Sequence, residues 1–297
     1  MIHKTNNLVL FLTVYIFSAS TLIGQLPKTD VYLATIKNLG TKPQMTTLSY
    51  LSGFNKAGYN NQAKLFSYDK IYLTSAIDTH KITDIYKIDL SDYKLTQVTA
   101  TEQISEFSPT PSPIKNQFSV VRIEADGSTQ TLWLYPEDQS NKGYRVLKKL
   151  GNVGYHCWIN EDSVALFLTG TPHTLVIAQL STGKTEVIAN DIGRCMKYDG
   201  NGNLYFVQKI QSDVWVLKSY QMVDKTINTI CQMPPNREDF ELLPNGSFIT
   251  GDGSTIKSYN PEKDSSWVVA FDLSDQNIMN INRVNIIRDR LVFINNK

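Results

Sequence analysis

Six times along the chain a small polar residue, then a β-former and in most cases an aromatic residue open a strand-like run: Asp30-Val31-Tyr32, Asp84-Ile85-Tyr86, Thr131-Leu132-Trp133, Thr174-Leu175-Val176, Asp213-Val214-Trp215 and Thr255-Ile256-Lys257. They recur every 40 to 55 residues or so, roughly the period of arrays whose units cannot bury an apolar face alone. Each marker leads through a turn into a second β-rich run, as in Ile85 to Thr99, Leu175 to Ala189 and Val214 to Ile230. Such pairs read as the two outer strands of successive blades.

An inner pair precedes each marker and carries its own turn: Tyr68-Asp69-Lys70, Ile114-Lys115-Asn116, Asn160-Glu161-Asp162, Asp199 to Asn203, Pro244-Asn245-Gly246 and Arg288-Asp289-Arg290. Each turn is followed by an apolar run, IYLT, FSVV, VALF, LYFV, SFIT or LVFI. The fullest unit, Glu106 to Leu150, breaks its second and third strands at Asp126-Gly127, a two-residue hairpin signal. One offset remains, because the marker at Asp30 has no inner hairpin before it and the hairpin Ile281 to Ile294 has no outer one after it. Pairing the two ends of the chain removes the offset and hides the sheet edges that invite aggregation. The fold expected is all-β: a six-bladed β-propeller with four-stranded antiparallel blades, closed by pairing of N- and C-terminal strands. Helical stripes of period 3.6 are missing, and a sandwich pair would need a boundary that the sequence does not show.

Ser108-Pro109-Thr110-Pro111-Ser112-Pro113, then a turn and Phe118-Ser119-Val120-Val121, resembles the serine-proline repeat of the TolB-like six-bladed propellers, WD40-like repeat proteins of bacterial cell envelopes. Ile114-Lys115 stands where that family's turn has aspartate-glycine. The resemblance implies a binding or interaction module that recognises a protein or peptide at a channel mouth in the envelope.

The N-terminus fits an exported chain. His3 and Lys4 precede an apolar run of roughly ten residues, Leu8 to Phe17, too short to span a bilayer, and small residues follow at Ser18, Ala19, Ser20 and Gly24. Residues 1–24 are read as a secretory signal peptide, cleaved before Gln25 or after Ser20, and 25–297 as a single propeller domain, periplasmic or secreted. No transmembrane segment is expected after cleavage. With 29 basic and 28 acidic side chains the net charge is +1, so the basic field that a nucleic-acid partner needs is absent. A monomer is expected. The three cysteines, Cys157, Cys195 and Cys231, read as buried small apolar residues, with a bridge between two of them as the alternative.

The start of each inner strand should meet one channel mouth, which gathers residues far apart in sequence. The binding candidates are Asn60, Glu106, Tyr155, His156, Trp158, His173, Arg194, Glu238, Asp239 and Arg283, a mixed-charge set that suits a peptide or small-molecule ligand. Mutual pairing of these groups around channel water is the alternative. A small-molecule hydrolase of lactonase type would use His156 as general base with Glu106, Glu238 or Asp239 as acid or metal ligand. Arg122 and Glu124 share a strand face and are expected in an ion pair across blades. Trp158 beside the channel could stack a sugar, although core packing between blades is the ordinary role of such residues.

No catalytic residue, metal or cofactor is assigned. Asp199-Gly200-Asn201-Gly202-Asn203 fails as a calcium loop, because Leu204 and Ile210 stand where glycine and glutamate are needed. His156 and His173 make only half a zinc set. No Gly-x-Ser-x-Gly elbow and no phosphate loop occur.

Overall fold

A computed structural model describes residues 26–38, 43–77 and 82–297; the expected leader at 1–24 lies outside the described residues. β1 (Thr29–Lys37) and β2 (Gln44–Tyr50) form an antiparallel hairpin. The second blade is β3 (Tyr59–Ser67), β4 (Lys70–Ala76), β5 (Asp84–Asp89) and β6 (Lys94–Gln97), and the third is β7 (Ser105–Pro111), β8 (Gln117–Ile123), β9 (Gln130–Pro136) and the two-residue β10 (Tyr144–Arg145). The fourth is β11 (Val153–Trp158), β12 (Ser163–Leu168), β13 (Thr174–Gln179) and β14 (Thr185–Asn190); the fifth is β15 (Ile192–Tyr198), β16 (Asn203–Lys209), β17 (Trp215–Gln221) and β18 (Thr226–Gln232). The sixth is β19 (Glu241–Leu242), β20 (Phe248–Asp252), β21 (Thr255–Tyr259) and β22 (Val268–Asp272). β23 (Ile281–Ile287) and β24 (Arg290–Asn296) then return to the first hairpin, giving the sheet order β2-β1-β24-β23.

The closure expected from the two unmatched ends is therefore made by β1 and β24, antiparallel from Thr29↔Asn296 to Thr35↔Arg290. The second strand of each blade explains why its sequence is apolar throughout rather than alternating. Val164 and Leu166 of β12 face the third blade, whereas Ala165 and Phe167 face the fifth. Sheets packed on both sides bury both faces of a strand, and the outermost strands, such as β2, β14 and β18, are the most exposed. Among the described residues the buried apolar side chains fall into six clusters, one between each pair of neighbouring blades. The cluster that joins the sixth blade to the first, with Ile249, Ile256, Leu291 and Phe293, is built like the other five, so the ring has no weak seam.

Three local expectations change. Asp126-Gly127 lies in a six-residue loop, not a two-residue turn: β8 stops at Ile123 and β9 resumes at Gln130. The reason is Asp126, whose carboxylate accepts from the backbone N–H of Ser128 and Thr129 at 2.9 and 2.7 Å and so builds its own turn. Arg122, near the end of β8, and Glu124, in the loop that follows, pair with each other at 3.3 Å within one blade instead of across blades, and Arg122 stacks on Trp133 of the same blade at 3.9 Å. The three cysteines are half-buried and unbridged. Among the described residues no helix is long and apolar enough to cross a membrane.

Candidate functional site

Bulges decide which side chains reach the channel. In β3, Asn61 pairs with Thr74 but Lys64 with Tyr72, so one extra residue enters the inner strand; in β7, Phe107 pairs with Val121 and Thr110 with Ser119, with the same result. Gln62 and Ser108, at these bulges, have φ of 54°, in the left-handed region. Similar register shifts occur in β11, β15 and β23. A bulge reverses which face later residues point to, and inner strands next to binding sites use bulges to re-aim side chains.

The re-aimed residues form two tiers around a small cavity of about 90 Å³. Nearer the starts of the inner strands, both oxygens of Asp239 accept from Arg194 Nε, at 3.2 and 3.1 Å, and the Arg194 fork closes further on Asp239 Oδ2. Arg283 approaches the other side of Asp239 at 3.8 Å, donates to Tyr155 OH at 3.0 Å and lies over the Tyr155 ring. One strand repeat deeper, Lys197 Nζ is 2.6 Å from Glu241, and the same carboxylate accepts from Asn285 Nδ2 at 2.7 Å. Asn285 Oδ1 accepts the Leu65 N–H at 2.8 Å, and Lys64 donates to Thr110 Oγ1 at 3.1 Å. Interblade bonds thus hold the lower tier together from the fifth blade through the first to the third.

Charge is unevenly placed. Burial opposes ionisation of Asp239, yet Arg194 and Arg283 hold its carboxyl below the ordinary range, and Glu241 keeps Lys197 firmly protonated against the burial that opposes it. Lys64 lacks such a partner: burial, with Lys197 nearby, pulls its ammonium down to about 8. Burial and the neighbouring Lys64 hold His156 at about 3, so its imidazole is neutral. Burial likewise raises Tyr59, beside the upper tier, to about 12.

Of the expected binding residues, Tyr155, His156, Arg194, Asp239 and Arg283 line the cavity. Glu238 stands next to them, 3.4 Å from Arg194 and 2.8 Å from Lys209. The other four lie elsewhere. Asn60 is fully buried and bonded to Thr29, Asn55 and Ser75. Glu106 is turned between the second and third blades, where it accepts from Thr101 Oγ1 at 2.7 Å and Tyr135 OH at 3.3 Å. Trp158 packs in the core between blades with its indole N–H on Ser119 at 2.8 Å, which removes it as a sugar platform. His173 is exposed in the β12–β13 loop against Phe167. Gln62, Lys64, Thr110, Lys197, Glu241 and Asn285 were not foreseen, although several lie two residues beyond another channel residue on the same strand, the spacing that period-two alternation would have flagged.

Among the described residues no three His, Cys, Asp or Glu side chains converge as a metal-binding group. A larger cavity, about 730 Å³, lies between the segment that follows β6 of the second blade and the third blade; Thr99, Phe118, Arg122, Trp133 and Tyr135 line it.

No protein-family model and no curated protein sequence matches the chain. Solved structures share its architecture. The putative TolB from Agrobacterium tumefaciens matches with a TM-score of 0.66 at 10% identity, over 91% of this chain and 99% of that one. TolB from Acinetobacter baumannii matches at 0.58 and 11% identity, over 81% of this chain and 65% of that one, so the chain spans less than two thirds of that protein's length. An oligogalacturonate lyase from Vibrio parahaemolyticus matches at 0.53 and 12% identity, over 91% and 98%. At such identities the likeness is one of fold, which makes the chain a TolB-like six-bladed propeller in architecture.

Proposed function

We propose that this TolB-like propeller is an exported binding module of a bacterial cell envelope, released from its leader at residues 1–24, that takes a protein or peptide segment at the channel mouth. The observation that carries the reading is the upper tier: Arg194 and Arg283 converge on Asp239, Arg194 shares Glu238 with Lys209, so three cations meet two carboxylates, and the buried Arg283 Nε has no protein partner. A guanidinium pair that is only part-neutralised suits the carbonyl oxygens and carboxylates of an extended chain. The apolar leader and the Ser108 to Pro113 resemblance support the envelope setting. The hydrolase alternative has less to stand on. His156 is neutral and held by Ser119, Glu106 is turned into a blade interface, and Asp239 and Glu238 are each tied to cations, so no acid–base pair faces a common point.

Panning a displayed library of envelope-protein fragments against the purified protein tests the reading. Arg194→Gln should lower fragment enrichment at least tenfold, roughly the value of one charge-assisted contact. Equal enrichment by wild type and variant would remove the mouth as the contact surface.

A further inference from the structure

Below the mouth, on the side built by the second, third and fourth blades, Lys64, Ser108 and His156 line the cavity, and each carries a polar atom that is under-matched. Lys64 Nζ has only the Thr110 hydroxyl, and none of the ion pairs among the described residues includes it. Ser108 Oγ and His156 Nδ1 have no partner at all, although their residues are only 9% and 7% exposed. The other edge of the imidazole is fixed: His156 Nε2 lies 2.6 Å from Ser119 Oγ, which also accepts the Trp158 indole N–H at 2.8 Å and lies 3.2 Å from Thr110 O. Ser119 has one hydroxyl proton, and the imidazole nitrogen is the nearer acceptor. When Ser119 gives that proton to Nε2 rather than to Thr110 O, Nδ1 carries the ring proton and donates, and this is the tautomer that the seat uses.

An ammonium, a hydroxyl and an imidazole N–H around one cavity ask for an acceptor, since buried donors left unmatched are costly. Lys197, the neighbouring cation, is already matched by Glu241, so Lys64 is the cation on this side of the cavity that an added negative charge would balance. The cavity is small, about 90 Å³, which suits the carboxylate end of a ligand.

We propose that Lys64, Ser108 and His156 form a seat for a single carboxylate, brought either by the C-terminus of a peptide that enters from the mouth or by a small free carboxylic acid. The seat deepens the reading of the channel as a binding site and rests on it. The lowered Lys64 agrees, being a cation held without a counter-charge that a carboxylate would supply.

Calorimetric titration of the purified protein with three probes, tetra-alanine, tetra-alanine amide and propionate, tests the seat. Tetra-alanine should bind, and its amide at least about tenfold more weakly, the value of a hydrogen-bonded charge. Lys64→Met and Ser108→Ala should each weaken the binding of tetra-alanine and propionate while the melting temperature holds. Tetra-alanine much tighter than propionate would identify a chain terminus as the ligand, and comparable affinities a free acid. An amide that binds as well as the acid, or wild-type affinity in both variants, would overturn the seat, as would no binding of any probe. Failure of the mouth reading looks different: Arg194→Gln would leave fragment capture intact while propionate binding still depended on Lys64.

Discussion

Glu106 shows how one side chain can set a pH dependence for the whole fold. It is fully buried, and burial together with the charge of Asp84 raises its carboxyl to about 7 from an ordinary 4.5, while Thr101, Arg122 and Tyr135 pull the other way. Asp84, in the same group, is raised too, mainly by burial. A carboxyl raised on folding binds its proton more tightly in the folded chain than in the unfolded one. Its stabilising effect is therefore present below about 4.5 and is lost as pH rises to about 7. Glu106→Gln keeps the shape and removes the titration. Wild-type melting temperature should fall between about pH 5 and about pH 8, and the variant's should fall less. Thermal unfolding at the two pH values decides it, and an equal fall in both proteins would mean that Glu106 is ionised in the folded chain throughout.

At the scale of strands, blade packing tolerates little change where two blades touch backbone to backbone. A Cβ on Gly251 of β20 would lie 2.6 Å from the carbonyl oxygen and from Cγ2 of Ile281, at the start of β23 in the next blade. Neither atom can swing away as a long side chain would. Gly251→Ala should cost about 1–3 kcal/mol, the usual range for overpacking, read as a lowered melting temperature; an unchanged temperature would show that the sixth and first blades separate freely there. The second strands were legible because both their faces are buried, which leaves runs such as VALF and LYFV for the eye to find. The inner strands were legible only in place. Their phase depends on bulges at Gln62 and Ser108, and neither glutamine nor serine announces a positive φ. Without the bulge in β7, Glu106 and Thr110 would share a face; with it, Glu106 turns between blades and Thr110 meets the channel. Tyr155, His156, Arg194, Asp239 and Arg283 were found because they lie at or near the starts of inner strands, whereas Lys64 and Lys197 lie deeper along theirs and Glu241 lies two residues beyond Asp239.

Across the whole molecule, closure makes the two ends of the described chain one structural unit. Phe293 of β24 is buried, stacks on Tyr32 of β1 at 5.4 Å and belongs to the cluster that joins the sixth blade to the first. Val31, Ala34 and Leu291 beside it are fully buried as well. A ring has no terminal blade to fray while this seam holds, and loosening the seam exposes β1, more than 250 residues away in sequence, before any neighbour of Phe293 along the chain. Phe293→Ala should cost about 3–5 kcal/mol. Phe206→Ala, equally buried in β16 of the fifth blade, should cost a similar amount without touching the seam. The two variants separate at the amides of β1: hydrogen exchange there should quicken in Phe293→Ala well beyond its rate in Phe206→Ala at matched stability. Equal exchange in both would mean that the ring opens as one cooperative unit wherever it is weakened, and that the β1–β24 pairing has no special part in holding it closed.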